Sequence, residues 1–279
     1  MSQQPETILD FLGTGGGRFV MISQQRRTAG IRITEGDTQV HIDPGPGALV
    51  FSNWAGVSPS KLDGLIVTHC HPDHYSDVEV FVEAMTRGTR AKRGVLAGTK
   101  SVLRGADGIG PCVSDYHKGL VSDLIELYEG ASFDVGGLSI LATEAKHSDP
   151  FSVGLRIATK NGNIGYTSDT CYFPGLSESY NDLRLLILCT MWPRDNPIRI
   201  HLNTDDALRI IDEAKPKACI LTHFGMRMLK AGPEKEAEYL TKESGTPVYA
   251  AVDGLKAVLG ENITLKGPRK ADEPILIEG

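Results

Sequence analysis

The chain is organised around the stretch Ile66-Val67-Thr68-His69-Cys70-His71-Pro72-Asp73-His74. Its apolar start predicts a buried strand, and the apolar residues that recur on one face from Asp73 to Met85 predict a helix. The three histidines and the aspartate therefore lie in a strand-to-helix loop, where His69 and His71 can reach one side together. Histidine nitrogens and carboxylate oxygens both bind metal ions, so this loop predicts half of a metal site.

Two adjacent metal ions would use all four of these side chains, and each ion must keep an open or bridging position for catalysis. Further ligands must then come from elsewhere in the chain. Open α/β sheets place their sites at the carboxyl ends of strands, and Ile220-Leu221-Thr222-His223 repeats the pattern of Ile66-Val67-Thr68-His69. A single histidine is more often structural, but the whole cluster is far more specific than any one member. The further candidates for site residues are His147, Asp169, His201 and His223.

Short segments separated by glycine turns fill the first part of the chain and predict a β-meander. The predicted strands are residues 7–12, 19–22, 30–33 and 40–42. The cluster Gly13-Thr14-Gly15-Gly16-Gly17 predicts a tight turn, because it lacks the spacing of a dinucleotide-binding or phosphate-binding loop. Asp43-Pro44-Gly45-Pro46-Gly47 predicts a rigid turn that leaves a carboxylate at a strand end.

A second block of strands begins after Gly137, and the chain shows no linker or repeat. It therefore predicts an α/β fold in one domain, 1–279, with two similar halves of about 1–136 and 137–279. In this second block we predict strands at 138–142, 152–158, 164–167, 183–188, 219–222, 248–251 and 257–259, helices at 204–214 and 234–242, and then a polar tail.

Composition excludes several classes of protein. Hydrophobic residues at 41% and charged residues at 23% are typical of a globular domain. The net charge of -6 excludes a global basic field, so a nucleic-acid substrate would need a local patch. The one dense basic run, 86–93, is more often a solvated surface than a site that captures anions. The chain has neither an apolar run of about 20 residues nor a signal peptide, which predicts a cytoplasmic protein with no membrane partner.

The five cysteines are an odd number and show no CxxC spacing. They predict neither a disulfide framework nor a thiolate zinc site. Cys189 and Cys219 lie in apolar runs and are predicted to be plain buried residues.

Taken together, these motifs resemble the metallo-β-lactamase superfamily over nearly the full length. The resemblance rests on Phe11-Leu12-Gly13-Thr14-Gly15, the turn that begins at Asp43, the H-x-H-x-D-H pattern, His147, Asp169 and Thr222-His223-Phe224. It implies an αββα sandwich of two mixed β-sheets flanked by helices, with the site at one edge. It also implies that His69, His71 and His147 hold one metal ion, that Asp73, His74 and His223 hold the other, and that Asp169 bridges them.

The resemblance further implies a role for Asp43, which supports the ligand loop without binding metal. Lactam-cleaving members often have a cysteine where this chain has Asp169, which places the chain with the phosphodiesterase-like and ribonuclease Z-like branch. His201-Leu202-Asn203-Thr204 is similar to the His-Ser-Thr segment of that branch, so His201 is implied as the general acid. Asp73 is counted with His201 as catalytic. A long Gly/Pro-rich arm of the kind that grips tRNA is not recognisable in the sequence.

The resulting hypothesis is a hydrolase in which two divalent metal ions share a hydroxide that attacks a phosphodiester, in a small molecule or a nucleic acid. Zinc is favoured, and the all-nitrogen-and-oxygen ligand set also suits Mn²⁺ or Fe²⁺. The alternative is hydrolysis of a carboxylic ester, thioester or lactone at the same site. A third reading is a metal-binding protein without catalytic activity. A homo-oligomer is left open.

Overall fold

The computed structural model of the chain describes residues 6–196, 198–268 and 275–277. Its strands are β1 Thr7–Phe11, β2 Ile31–Glu35, β3 Thr38–Ile42, β4 Gly64–Val67, β5 Val95–Thr99, β6 Asp123–Leu127, β7 Ser132–Val135, β8 Leu138–Glu144, β9 Val153–Thr159, β10 Gly162–Tyr166, β11 Leu185–Trp192, β12 Leu202–Asn203, β13 Cys219–Thr222, β14 Val248–Ala250, β15 Leu255–Leu259, β16 Ile263–Lys266 and β17 Ile275–Ile277. Its α-helices are α1 Arg18–Ser23, α2 Ala48–Trp54, α3 Pro72–Tyr75, α4 Val78–Met85, α5 Lys100–Leu103, α6 Asp115–Leu120, α7 Thr204–Ala214, α8 Met226–Ala231 and α9 Pro233–Ser244, and 3-10 turns span Pro59–Lys61 and Leu176–Tyr180.

The strands form two mixed sheets. The first has the order β17-β16-β15-β1-β2-β3-β4-β5-β6, and the second has the order β14-β13-β11-β10-β9-β8-β7, with β12 beside β11. Strands β3 to β6 are parallel, whereas β1, β2 and β3 pair antiparallel as the predicted meander. The predicted halves, 1–136 and 137–279, meet in the antiparallel β7–β8 pair of the second sheet.

Alternate side chains of β11 pack into two different hydrophobic cores, and this shows how the sheets and helices are layered. Leu185 and Ile187 of β11 pack into the core between the two sheets. Leu186 and Leu188 point the other way, into a core that includes Ile210 of α7. A third core joins the outer face of the first sheet to α4. Because a strand alternates its faces, a strand that is apolar at every position lies between two covered layers. The layers are therefore helix, sheet, sheet and helix, as predicted.

Two predictions about the first sheet are wrong. Residues 19–22 belong to helix α1 rather than to a strand, with Phe19 and Ile22 exposed at 78% and 76%. Strands β2 and β15 pair with the two edges of β1, so residues 19–22 cannot pair with β1 as a further strand. The predicted polar tail instead contributes β16 and β17 to the sheet, and Ile263 and Leu265 are buried in the core between the sheets.

The cysteine spacing predicts no disulfide framework, but the structure contains one disulfide. Cys70 and Cys112 are bonded, with Cα atoms 6.6 Å apart. The two residues are 42 positions apart in the chain, so no local spacing reveals the pair. The other cysteines are free, and Cys189 and Cys219 are buried as predicted.

The basic run 86–93 lies away from the carboxyl ends of the strands. It connects the end of α4 to the start of β5, and Arg93 forms a salt bridge of 2.9 Å with Asp63, just before β4. Strands β4 and β5 are parallel, so both start at the edge opposite to His69. This position favours the solvated-surface reading of the run. Among the described residues, none of the helices combines the length and apolarity that crossing a bilayer requires.

Candidate metal centre

The candidate ligands meet at one edge of the sandwich because strands from both sheets end there. His69 and His71 follow β4, and His71 is the N-cap of α3, whose first turn carries Asp73 and His74. The other side chains follow β8, β10 and β13. The possible ligand atoms form three groups, and within each group all of the atoms lie within 4.8 Å of one another. These groups are His69, His71, His147 and Asp169; Asp73, His74 and His223; and Asp169, His201 and His223.

The first group has the spacing of a tetrahedral metal site. His71 Nδ1 lies 3.1 Å from both His69 Nε2 and His147 Nε2. Asp169 Oδ2 lies 3.6 Å from His147 Nε2 and 3.8 Å from His69 Nε2. Nitrogen ligands about 2.0–2.1 Å from a tetrahedral zinc ion are about 3.3–3.4 Å apart, so these four atoms could surround one ion.

The second group meets the first at Asp169. His223 Nε2 lies 3.1 Å from His74 Nε2 and 3.4 Å from Asp73 Oδ2. Asp169 Oδ1 lies 3.2 Å from His223 Nε2, and Asp169 Oδ2 lies 3.6 Å from His74 Nε2. One carboxylate therefore contacts both groups, as a bridging ligand would. The structure brings every predicted ligand together, and their roles as metal ligands stay predictions.

Hydrogen bonds on the outer side of the rings determine which nitrogen faces the site. His147 Nδ1 donates to the Ile200 carbonyl at 2.7 Å, and His74 Nδ1 donates to Asp43 Oδ2 at 3.0 Å. His69 Nδ1 lies 3.2 Å from the hydroxyl of Thr68. With these protons outside, the inner nitrogens present lone pairs, which is the arrangement that metal-binding histidines adopt. Lone pairs about 3 Å apart repel each other unless a cation lies between them, so the rings suit a metal ion.

Asp43 ties the ligand loop to the second sheet. Its carboxylate accepts hydrogen bonds from Thr68 N and Thr68 Oγ1, both at 2.8 Å, and from the Tyr166 hydroxyl at 2.9 Å. Burial, together with the charge of Asp43, raises the pKa of Tyr166 well above its usual value, so the hydroxyl stays a donor. With the bond from His74, these contacts are what we expect of a carboxylate that orients a ligand without binding the metal.

The electrostatics of the site favour a cation. Burial would lower the pKa of His74, but the surrounding carboxylates, Asp169 first among them, raise it well above its usual value. Burial would raise the pKa of Asp169, but the imidazoles of His223 and His74 hold it well below its usual range. Asp169 Oδ1 is buried and accepts no hydrogen bond. Positive charge is thus stabilised here, either as a proton on His74 or as a bound metal ion.

His201 joins the site from the loop before β12. Its Nδ1 lies 3.6 Å from Asp169 Oδ2 and, although buried, has no hydrogen-bond partner. The ring stacks on His223 with an interplanar angle of 25°. Burial lowers the pKa of His201 to about 4, and the nearby Asp169 opposes this shift. Helix α7 begins directly after, with Asn203 as its cap in a capping box with Asp206, and it ends at Ala214 as predicted.

The glycine cluster after β1 is part of the site, which the sequence argument missed. The backbone N–H of Gly17 donates to Asp73 Oδ2 at 2.7 Å. Gly16 passes so close to the ring of His223 that a Cβ there would lie 2.3 Å from ring atoms. The opening motif Phe11-Leu12-Gly13-Thr14-Gly15 is a signal of this role, although the spacing of the glycines predicts only a turn.

Replacing Gly16 with alanine should displace His223. We expect a loss of about 1–3 kcal/mol in the free energy of unfolding from overpacking, together with fewer bound metal ions. Urea unfolding and metal analysis would measure both. Gly119→Ala in α6 is the matched control, since its Cβ meets no atom within 4 Å and alanine favours a helix. Equal metal content in Gly16→Ala and wild type would contradict the close contact.

A cleft of about 750 Å³ opens beside His147. Its lining includes the cations Lys100, Lys146 and Arg199 together with the carboxylates Glu126, Glu129 and Glu144, so charges of both signs lie near the site although the run 86–93 does not. Lys146 is partly neutralised by Glu144, whose carboxylate lies 3.2 Å from its Nζ. The sequence does not reveal that Lys100, Lys146 and Arg199 lie close together, because they come from three separate segments of the chain.

Comparison with known proteins decides the family. The family described as "Beta-lactamase superfamily domain" matches residues 38–224, a range that contains every candidate ligand. The chain belongs to the β-lactamase superfamily. The protein MJ1374 of Methanocaldococcus jannaschii is 41% identical to this chain over 251 residues, which make up 89% of this chain and 94% of that protein.

Two further proteins show how far the similarity extends. A ribonuclease Z of Methanopyrus kandleri is 29% identical over 157 residues, 55% of this chain and 51% of the ribonuclease, so about half of that relative is matched. The crystal structure of YhfI from Bacillus subtilis, a metallo-β-lactamase fold protein, gives a TM-score of 0.75 at 19% identity and covers 91% of this chain and 99% of YhfI. The predicted family and fold are confirmed, and the chain is a hydrolase-family protein with His/Asp clusters that could bind metal.

Proposed function

We propose that this chain is a hydrolase that uses two divalent metal ions to cleave a phosphodiester. The observation that carries the proposal is the shared position of Asp169, whose carboxylate contacts both histidine groups. His69, His71 and His147 would hold one ion, and Asp73, His74 and His223 would hold the other. Such ions supply Lewis acidity and a water of lowered pKa. The ligand set contains no thiolate, so zinc, manganese and iron(II) all fit it.

The side chains of the site have separate tasks in this reaction. His201 would pass a proton from Nδ1 to the departing oxygen, because this nitrogen has no hydrogen-bond partner and faces Asp169, whose charge opposes the lowering of the His201 pKa by burial. Asp43 would keep the His74 ring in place through the bond to Nδ1. Lys100 and Arg199, which lie among the mixed charges of the cleft, would contact an anionic substrate.

One comparison supports a phosphodiester over other hydrolysable bonds. The relative from Methanopyrus kandleri is named a ribonuclease, and its name describes cleavage of RNA. The resemblance to the superfamily adds only that Asp169 takes the place where lactam-cleaving members often have a cysteine, which argues against a lactam substrate. A nucleic acid or a small phosphodiester is therefore the proposed substrate.

The proposal is tested by measuring bound metal and then assaying two substrate panels. One panel contains bis(p-nitrophenyl) phosphate, cyclic mononucleotides and an oligoribonucleotide, and the other contains p-nitrophenyl acetate, a thioester and a lactone. We expect two equivalents of metal and turnover on the first panel, lost on chelation and restored by Zn²⁺ or Mn²⁺. Turnover of the second panel alone would replace this function with carbon-ester hydrolysis. Metal binding with no turnover on either panel would leave a binding protein.

A further inference from the structure

Asp149 is a buried carboxylate just outside the candidate ligand set. It lies two residues after His147, in the turn between β8 and β9, and it is 0% exposed. Its Oδ2 accepts hydrogen bonds from Cys70 N at 2.9 Å and from Ser101 Oγ at 2.6 Å. Its Oδ1 accepts from Phe151 N at 3.0 Å. Both oxygens only accept, which is the behaviour of an ionised carboxylate.

The partners of this carboxylate belong to two different ligand loops. Cys70 is the residue between His69 and His71, so Oδ2 holds the backbone of the loop that follows β4. Oδ1 closes the turn of the loop that carries His147. The inner nitrogens of His71 and His147, one from each loop, lie only 3.1 Å apart. Their separation therefore depends on how the two loops are held together.

We propose that Asp149 is a positioning residue that holds the His69–His71 loop against the His147 loop and so sets the geometry of the first metal group. The inference rests on the metal site of the proposed function. One further contact supports the junction, because Val153 N donates to the carbonyl of Thr68 at 3.2 Å. Asp149 has no direct contact with the candidate metal position, so it acts through the backbone of its neighbours.

The chemistry of the contact explains why an amide cannot replace this carboxylate. Asparagine has nearly the same shape, but one of its two acceptors becomes an N–H₂ donor. Whichever way the amide is turned, that donor faces the N–H of Cys70 or the N–H of Phe151, and one of these buried groups loses its partner. Asp149→Asn therefore loosens one of the two ligand loops while the volume of the core stays the same.

The test is a cobalt titration of metal-free protein, because the visible absorption of bound Co²⁺ reports ligand geometry without any turnover. We expect Asp149→Asn to lower the affinity for Co²⁺ on the order of 10–100-fold, the usual cost of losing a group that supports a metal ligand. The absorption band of the bound ion should shift as well. Wild-type affinity and an unchanged band in this variant would overturn the inference.

A matched control separates positioning from simple stabilisation. Glu35 is another buried carboxylate, 4% exposed, which accepts from Thr7 Oγ1 and Lys160 N at 2.8 Å each. It lies at the end of β2, which runs antiparallel to β3 and so ends away from the site. Alanine at this position removes the acceptor of both donors, so we expect Glu35→Ala to lower the unfolding temperature and to keep the wild-type cobalt spectrum. Identical behaviour of Glu35→Ala and Asp149→Asn would reduce Asp149 to a structural role.

Two further results keep the outcomes distinct. If Asp149→Asn does not fold, Ser101→Ala removes one donor to the same carboxylate and should lower Co²⁺ affinity several-fold; unchanged affinity would count against the inference. Cobalt binding without phosphodiester turnover would remove the proposed function and keep the role of Asp149. Wild-type protein that binds no cobalt would overturn both.

Discussion

Asp169→Ala should lower phosphodiester hydrolysis by roughly 10³-fold or more, since losing even one electrostatic contact in an active site costs about 10²–10³ in rate. The same variant should hold fewer than two equivalents of metal. The reason is geometric: Asp169 lies 3.6 Å from His147 Nε2 in one group and 3.2 Å from His223 Nε2 in the other. Alanine would leave both groups one ligand short and would bring uncompensated positive charges together.

The control for Asp169→Ala is the replacement of an aspartate that lies outside the candidate metal site. Asp134 is exposed on β7, and Asp134→Ala should keep wild-type metal content and rate. Metal analysis after dialysis, with kcat and KM on bis(p-nitrophenyl) phosphate, gives both readings for each variant. Two equivalents of metal and near wild-type turnover in Asp169→Ala would eliminate a bridging role and with it the two-metal proposal.

The local part of the site was predictable from the sequence because it follows from a short motif. The stretch that ends in His74 combines a buried strand, a proline at the start of a helix and four potential metal ligands within residues 69–74. His223 and Asp169 were predictable for a related reason, since each follows a buried strand and parallel strands end at the same edge. The α7 helix was predicted to its last residue because Asn203 forms the cap.

The parts that were missed depend on contacts between segments far apart in the chain. The segment 19–22 is apolar enough for a strand, but the sequence does not say that β15 already occupies the free edge of β1. Cys112 is a disulfide partner only because its loop crosses the end of β4. Asp149 reads as an ordinary polar turn residue until the fold brings Cys70 N to within 2.9 Å. No local periodicity contains this information.

His201→Ala should separate proton donation from metal binding through the leaving group. For an alkyl or ribose phosphodiester, whose departing alkoxide needs a proton, we expect kcat to fall by about 10²–10⁴-fold, the usual contribution of a general acid. For bis(p-nitrophenyl) phosphate the departing phenolate is stable without a proton, so the loss should be less than about 10-fold. Metal content should stay at the wild-type level, because His201 Nδ1 lies 3.6 Å from Asp169 Oδ2 and both proposed metal positions have their ligands without it.

A histidine outside the site provides the control for this variant. His117 lies on α6, and its ring contacts Glu79 and Glu83. His117→Ala should leave the rate of hydrolysis of both substrates unchanged. If His201→Ala slowed both substrates equally and lost metal, the side chain would be acting as a ligand, as its place in the group with Asp169 and His223 allows. If it slowed neither, proton donation would have to come from solvent. A loss confined to the poor leaving group is the result that only a general acid produces, because the metal ligands act on both substrates alike.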